Sequence, residues 1–251
     1  MSRRSCRKPE VRMKKLRVLA LMGSLLIFPV TLNFMSPALS LQGATEGIVS
    51  GSMLLFAAML IAAPLVGRIW CGWACPGGAL QDLATPVNGR KPGRHAGKVK
   101  YAIWAAWLGA IIVFLVINGI KTVDPLYMTE SGISVDEPFK YIIYFGVISI
   151  LLAGALAVGK RGSCHAICWM APFMTCGMAA GSSLKVPSLH IAYDEARCAH
   201  CGACSKACPM SLDPVSSARA LKVPYECINC GECVGSCRKG ALSFRFSARG
   251  R

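Results

Sequence analysis

Residues 198–209 read Cys198-Ala199-His200-Cys201-Gly202-Ala203-Cys204-Ser205-Lys206-Ala207-Cys208-Pro209, and residues 227–238 read Cys227-Ile228-Asn229-Cys230-Gly231-Glu232-Cys233-Val234-Gly235-Ser236-Cys237-Arg238. Both are C-x2-C-x2-C-x3-C. Three thiolates at intervals of three wrap a tight loop around one iron–sulfur cluster, Gly202 and Gly231 permit the turn, and the fourth cysteine of each run reaches the other cluster. The spacing therefore predicts two [4Fe–4S] clusters, one on Cys198, Cys201, Cys204 and Cys237, the other on Cys227, Cys230, Cys233 and Cys208. Zinc sites use paired C-x2-C knuckles, not triplets with a distant fourth ligand. Disulfides are disfavoured by the reducing compartment that the charge pattern implies. Eighteen residues separate Cys208 from Cys227, so a helix or loop is expected over 211–223, and Arg238 stands where the first run has Pro209. Residues 186–251 are expected to form a small α+β bacterial-type ferredoxin domain that passes single electrons.

Upstream the composition changes. The chain of 251 residues is 54% hydrophobic and 16% charged, an apolar excess over soluble averages, and the excess collects before residue 160. Four stretches, Leu16–Met35, Ile48–Val66, Tyr101–Ile117 and Phe139–Val158, are expected to cross a bilayer, which takes about 20 helical residues. Trp104 and Trp107 suit an interfacial belt. The net charge of +16 alternates between loops: +7 over residues 1–17, +5 over 67–100 and +7 over 160–251, against −1 over 36–47 and −3 over 118–138. That is the positive-inside pattern rather than a nucleic-acid face, and no nucleic-acid partner is expected. Both termini are placed in the cytoplasm of a multi-pass inner-membrane protein. The expected organisation is a basic N-terminus (1–17), a four-helix membrane domain (18–185) and the cytoplasmic ferredoxin domain. Cleavage of the first span as a signal and the Arg3-Arg4 pair as a twin-arginine signal are both weaker readings than a retained anchor.

The membrane part looks duplicated. One hairpin runs into Trp70-Cys71-Gly72-Trp73-Ala74-Cys75-Pro76, a second into Ser163-Cys164-His165-Ala166-Ile167-Cys168-Trp169. On a helix, C-x3-C puts two thiols on one face, and side-by-side hairpins would gather all four just inside the cytoplasmic boundary. Packing, a thiol/disulfide or metal-handling pair, a further cluster, and an electron relay touching a quinone all remain open for Cys71, Cys75, Cys164 and Cys168, with the relay preferred. His165 is a candidate quinol proton acceptor or an interfacial polar residue. His200 either tunes the first cluster or lies in solvent. His95 and His190 suggest no haem, and Cys6 and Cys176 fit no pattern. No Walker or dinucleotide motif appears.

Four spans, C-x3-C-P after the second, a second C-x3-C after the fourth and a cytoplasmic double [4Fe–4S] domain resemble the NapH/MauN family of membrane ferredoxin-type proteins, and the membrane part resembles that of NosR. The second C-x3-C is followed by Trp169, with Pro172 three residues later. The resemblance implies a quinol dehydrogenase component that feeds electrons toward periplasmic reductases, with membrane lipid, quinone and a redox protein as partners. A metal-handling or maturation reductase is the alternative, and a non-catalytic docking subunit or redox sensor a third.

Overall fold

A computed structural model of the chain describes residues 7–93, 96–129, 132–220 and 224–248; Cys6 and His95 lie outside them. The first apolar stretch is not one helix. Helix α1 runs Arg7–Leu26, one turn, α2, covers Phe28–Thr31, and a 3-10 turn at Asn33–Met35 leads to α3, Pro37–Glu46. Pro29 corrects the expected continuous span: it lacks the N–H and its ring would clash inside α1, so it falls in the first turn of α2. The second stretch also starts late. Ile48–Ser50 (β1) pairs in parallel with Thr122–Asp124 (β2), leaving α4 only Gly51–Val66.

Short helices α5, Ile69–Trp73, and α6, Pro76–Ala84, follow; then come α7, Ala96–Asn118, and α8, Pro138–Val158. These last two contain the third and fourth expected spans. Their mean hydropathy is 2.1 and 2.3, and only 6% of the most apolar window of each is buried inside the protein. Two helices, rather than four, are long and apolar enough to cross a bilayer among the described residues. Their outward surface includes Val116, Ile117, Ile142 and Phe145. Trp104 and Trp107 do not form a belt: both pack edge-on against Phe173, which stacks on Phe56.

After α8 the chain turns back. Gly159 takes φ +110° and closes the helix by donating to Ala155 O at 3.1 Å. Helix α9, Gly162–Ala166, then climbs alongside α8, with Ser163 Oγ donating to Leu151 O at 2.9 Å. Leu151 is about 10 Å from the end of α8 at helical rise, so the fold-back is deep. Helix α10, Met170–Ser183, returns beside α4. Gly177 and Gly181 allow this approach: a Cβ at Gly177 would strike the Leu60 carbonyl, and one at Gly181 would stand 2.7 Å from Pro64 Cβ, the small-xxx-small solution to close helix packing.

Helix α4 ends in the same way. Gly67 takes φ +64° and donates to Ala63 O, α5 climbs, and α6 descends against α8. A Cβ at Gly77 would lie 3.2 Å from Leu151 Cδ1, so the tips of both fold-backs reach the same level of α8. The ferredoxin part pairs β3, Ser188–Tyr193, antiparallel to β4, Leu242–Ser247. Between these strands, among the described residues, lie a 3-10 turn at Glu195–Arg197 and three short α-helices: α11, Ala203–Ala207, α12, Pro214–Arg219, and α13, Glu232–Gly235. Helix α12, capped by Asp213, fills part of the expected 211–223 insertion; 221–223 are not among the described residues.

Candidate redox centres

The two cysteine runs fold as copies of one another. His200 and Asn229, each two residues past the first cysteine, take φ +50° and +47°, and Gly202 and Gly231, two further on, take +68° and +79°. Ser211 and Gly240, three past each fourth cysteine, take +55° and +62°. Their amides donate to the Cys208 and Cys237 carbonyls at 3.2 and 3.0 Å. The next amides, of Leu212 and Ala241, donate to the Cys208 and Cys237 sulfurs at 3.4 and 3.3 Å. Arg238 in place of proline therefore leaves the turn intact.

Each fourth cysteine crosses to the other loop. One cavity of about 220 Å³ is lined by Cys208, Cys227, Cys230 and Cys233, and Cys208 is an electrostatic neighbour of Cys233. A second, of about 340 Å³, is lined by Cys198, Cys201, Cys204 and Cys237. Four thiols around a cavity, with backbone N–H groups aimed at sulfur, fit a [4Fe–4S] cluster at each place. His200 is exposed and offers Cys198 its backbone N–H at 3.4 Å.

The C-x3-C cysteines do not share a helix face, which corrects the simple i,i+4 picture. Helix α5 stops at Trp73 and Cys75 is the extended N-cap of α6; α9 stops at Ala166, two residues before Cys168. The break still assembles all four thiols. Cys75 interacts electrostatically with Cys71, Cys164 and Cys168, and Cys164 with Cys71 and Cys168. They lie between the helices, up to the level of Leu151, rather than beyond the helix ends. Trp169, where the first motif has Pro76, donates from Nε1 to Met35 O at 3.0 Å and pins the early 3-10 turn against this tip.

The thiol group touches two things. On one side is an apolar cavity of about 310 Å³, lined by Cys75, Cys164 and Cys168 with Leu32, Val147 and Leu151, among others. On the other, Gly72 lies flush on the ferredoxin loop: a Cβ there would collide with the Ile228 carbonyl and stand 3.3 Å from Cys230 Cα.

Buried charge frames the contact, and none of it was singled out from sequence. Arg161, fully buried, donates to Cys71 O at 2.6 Å and to both Asp82 oxygens at 2.7 and 2.8 Å. Asp82 also binds Arg17, which reaches Glu232 at 2.7 Å. Arg68, fully buried, and Lys100 share Glu226 at 2.6 and 2.5 Å. Burial works to raise the Asp82 and Glu226 pKa values, but Arg161 with Arg17, and Arg68 with Lys100, outweigh it and hold both carboxyls below their ordinary range. His165, on α9 beside Cys164, has its Nε2 buried without a partner among the described residues. The signal available in the sequence was Arg68 and Arg161, each three residues before the first cysteine of its motif.

Residues 50–95 match the 4Fe-4S binding domain family and residues 190–238 the 4Fe-4S dicluster domain family. The chain is 22% identical to ferredoxin-type protein NapH of Haemophilus influenzae, over 90% of this chain and 79% of that one. It is 27% identical to methylamine utilization ferredoxin-type protein MauN of Methylorubrum extorquens, over 68% and 59%. The chain is similar to the NapH/MauN-type ferredoxin proteins. A third relative, putative electron transport protein YccM of Escherichia coli, is 22% identical over 78% of this chain and 56% of its own. No solved structure matches. Two matched 4Fe–4S domains and these electron-transport relatives support an iron–sulfur electron carrier.

Proposed function

We propose that this carrier is membrane-embedded, oxidises quinol in the apolar cavity, and passes the electrons singly through its clusters to a redox protein on the ferredoxin side. The observation that carries this reading is continuity: the 310 Å³ cavity ends on three thiols, and the thiol helix α5 lies against the Cys230 loop. Helices α7 and α8 form two crossings. The apolar α4 and the α1–α2 segment, which runs from Arg17 at the ferredoxin loop to Asn33 at the 128–134 loop, make up four, with both described ends on the basic side.

The cluster cysteines are proposed ligands as grouped above; bound clusters supply one-electron storage and transfer. Oxidation of a quinol releases two electrons and two protons. The electrons leave by the thiol side and the protons by the end of the cavity lined by Asn33, Ser134 and Lys140. The chain's own part is to hold the quinol ring dry against Cys75 and Cys168 and to clamp the ferredoxin loop onto α5 through Arg17–Glu232 and Arg68–Glu226–Lys100.

The test uses the full chain, purified anaerobically in lipid nanodiscs. Adding a short-chain quinol should bleach the visible iron–sulfur absorbance. Replacing Leu151 with Trp, which fills the cavity from one wall, should abolish that bleaching while leaving reduction by dithionite unchanged. Clusters that stay oxidised with every quinol class, yet reduce with dithionite, refute the reading.

A further inference from the structure

We propose that Cys71, Cys75, Cys164 and Cys168 together ligate a third iron–sulfur cluster, set between the apolar cavity and the cluster site of Cys208, Cys227, Cys230 and Cys233. The region that matches a 4Fe-4S binding domain, 50–95, contains two cysteines, Cys71 and Cys75, whereas a [4Fe–4S] cluster takes four protein ligands. The fold supplies the missing pair from the second copy of the same unit. Both units close a helix on glycine, turn back through a buried arginine, and break a five-residue helix between their two cysteines. The break matters: a continuous helix would hold each pair to one face, whereas Cys75 is extended and Cys168 lies past the end of α9, so neither pair is held to a single helix face.

Charge and hydrogen bonding point the same way. Arg17, Lys100, Arg68 and Arg161 are buried around the site, and the carboxylates paired with them are Asp82, Glu226 and Glu232. Four cations against three anions leave one buried positive charge, which in a low-dielectric interior calls for an anion; a cluster on four thiolates is one. Arg68 Nε is buried with no partner, and the sulfurs nearest to that guanidinium electrostatically are Cys71 and Cys168. Gln81 is locked by its own bonds, Oε1 accepting from Ser163 N at 2.9 Å and Nε2 donating to Gly77 O at 3.2 Å, so that Nε2 also faces Cys164 Sγ at 3.1 Å. N–H donors aimed at sulfur are among the contacts that tune an iron–sulfur cluster. In the proposed path no bond is made or broken here: the cluster takes one electron from the donor in the cavity and gives one electron to the cluster beside Cys230.

The experiment counts iron and acid-labile sulfide in the full chain, purified anaerobically and reconstituted with iron and sulfide. The expected content is about twelve of each per chain, against about eight for the ferredoxin module alone. The Cys75→Ser/Cys168→Ser variant should lose about a third of both and keep the low-temperature EPR signals of the other clusters. Arg68→Gln should keep all the iron and lower the midpoint potential of one cluster only, a shift that a purely structural arginine would not confine to one centre. About eight iron in the unmodified chain overturns the proposal whatever the variants do, and so does copper, zinc or a disulfide found at these thiols. Twelve iron without reduction by quinol would sink the quinol reading and leave the third cluster standing; eight iron with reduction by quinol would do the reverse.

Discussion

Glu226 immediately precedes the first cysteine of the second cluster loop, and its carboxylate is the shared partner of Lys100 and Arg68, both fully buried. Glu226→Gln keeps the shape and removes the charge. The neutral amide still accepts one bond, but its NH2 then faces a cation. Removing one partner of a buried pair costs about 3–5 kcal/mol, because the remaining charge is left uncompensated. The Glu226 side chain is 26% exposed, so water softens the loss toward about 3 kcal/mol. For a chain of this length that lowers Tm by roughly 6–12 °C. Thermal loss of cluster absorbance in detergent reads it. The sign with pH follows from the depressed carboxyl: its stabilisation is complete above the ordinary 4.5 and is lost as pH falls through the lowered folded value. The deficit of Glu226→Gln against the unaltered protein should therefore be flat between about pH 6 and about pH 8. Glu195→Gln, which breaks the exposed Arg219 pair, should leave Tm unchanged. A Glu226→Gln protein melting within about 2 °C of the unaltered one, or a deficit that fades by neutral pH, would show that the buried cations are satisfied by something else.

Three further outcomes follow from individual contacts. Gly72→Ala pushes α5 off the Ile228 carbonyl, so reduction of the clusters by quinol should slow at least tenfold in stopped-flow traces while iron content and reduction by dithionite hold. Ser211→Gly relieves a left-handed serine at φ +55° and removes a buried hydroxyl without a partner; it should stabilise the ferredoxin part by about 1 kcal/mol, seen as a higher denaturant midpoint for cluster loss. Gly181→Leu forces a side chain into Pro64 and should cost about 1–3 kcal/mol by overpacking, read as lower Tm and poorer yield in the membrane fraction.

What could be read from sequence was whatever a local rule controls. Cluster loops are built from near neighbours, so the spacing of Cys198 to Cys208 and Cys227 to Cys237 is enough to suggest the grouping that lines each cavity. Apolar length likewise locates α7 and α8, which face outward almost alone. The same reasoning failed where a tertiary contact decides. Apolar length ends these helices at Val66 and Val158, as found, but does not show that the chain then reverses at a positive-φ glycine and climbs back between the helices. The reversal depends on Ser163 finding the Leu151 carbonyl and Gly77 finding Leu151, contacts across 12 and 74 residues respectively. Arg68 and Arg161 were counted as loop charge; burial turned them inward because Glu226 and Asp82 arrive from elsewhere in the chain.

Arg161 and Arg17 also explain why the first fold-back and a ferredoxin loop belong to one construction. A re-entrant segment exposes backbone groups that a continuous helix would pair, and in an apolar layer they must be satisfied from within the protein. Arg161 does this for the Cys71 carbonyl and Arg17 for the Gly72 carbonyl, so the first fold-back holds two cations inside. Each cation then requires an anion, and two of the three carboxylates that answer, Glu226 and Glu232, sit in the second cluster loop. Opening the α5 tip thus draws the Cys227–Cys233 loop, not the Cys198–Cys204 loop, against it. On this argument the second loop is the inner cluster and the first, with Cys201 exposed, is the one left to face a soluble partner. A double replacement of Glu226 and Glu232 by Gln should release the whole ferredoxin part from α5, making Cys230 reactive to maleimide in apo protein while leaving the already exposed Cys201 unchanged; equal labelling of Cys230 before and after the replacement would refute this order.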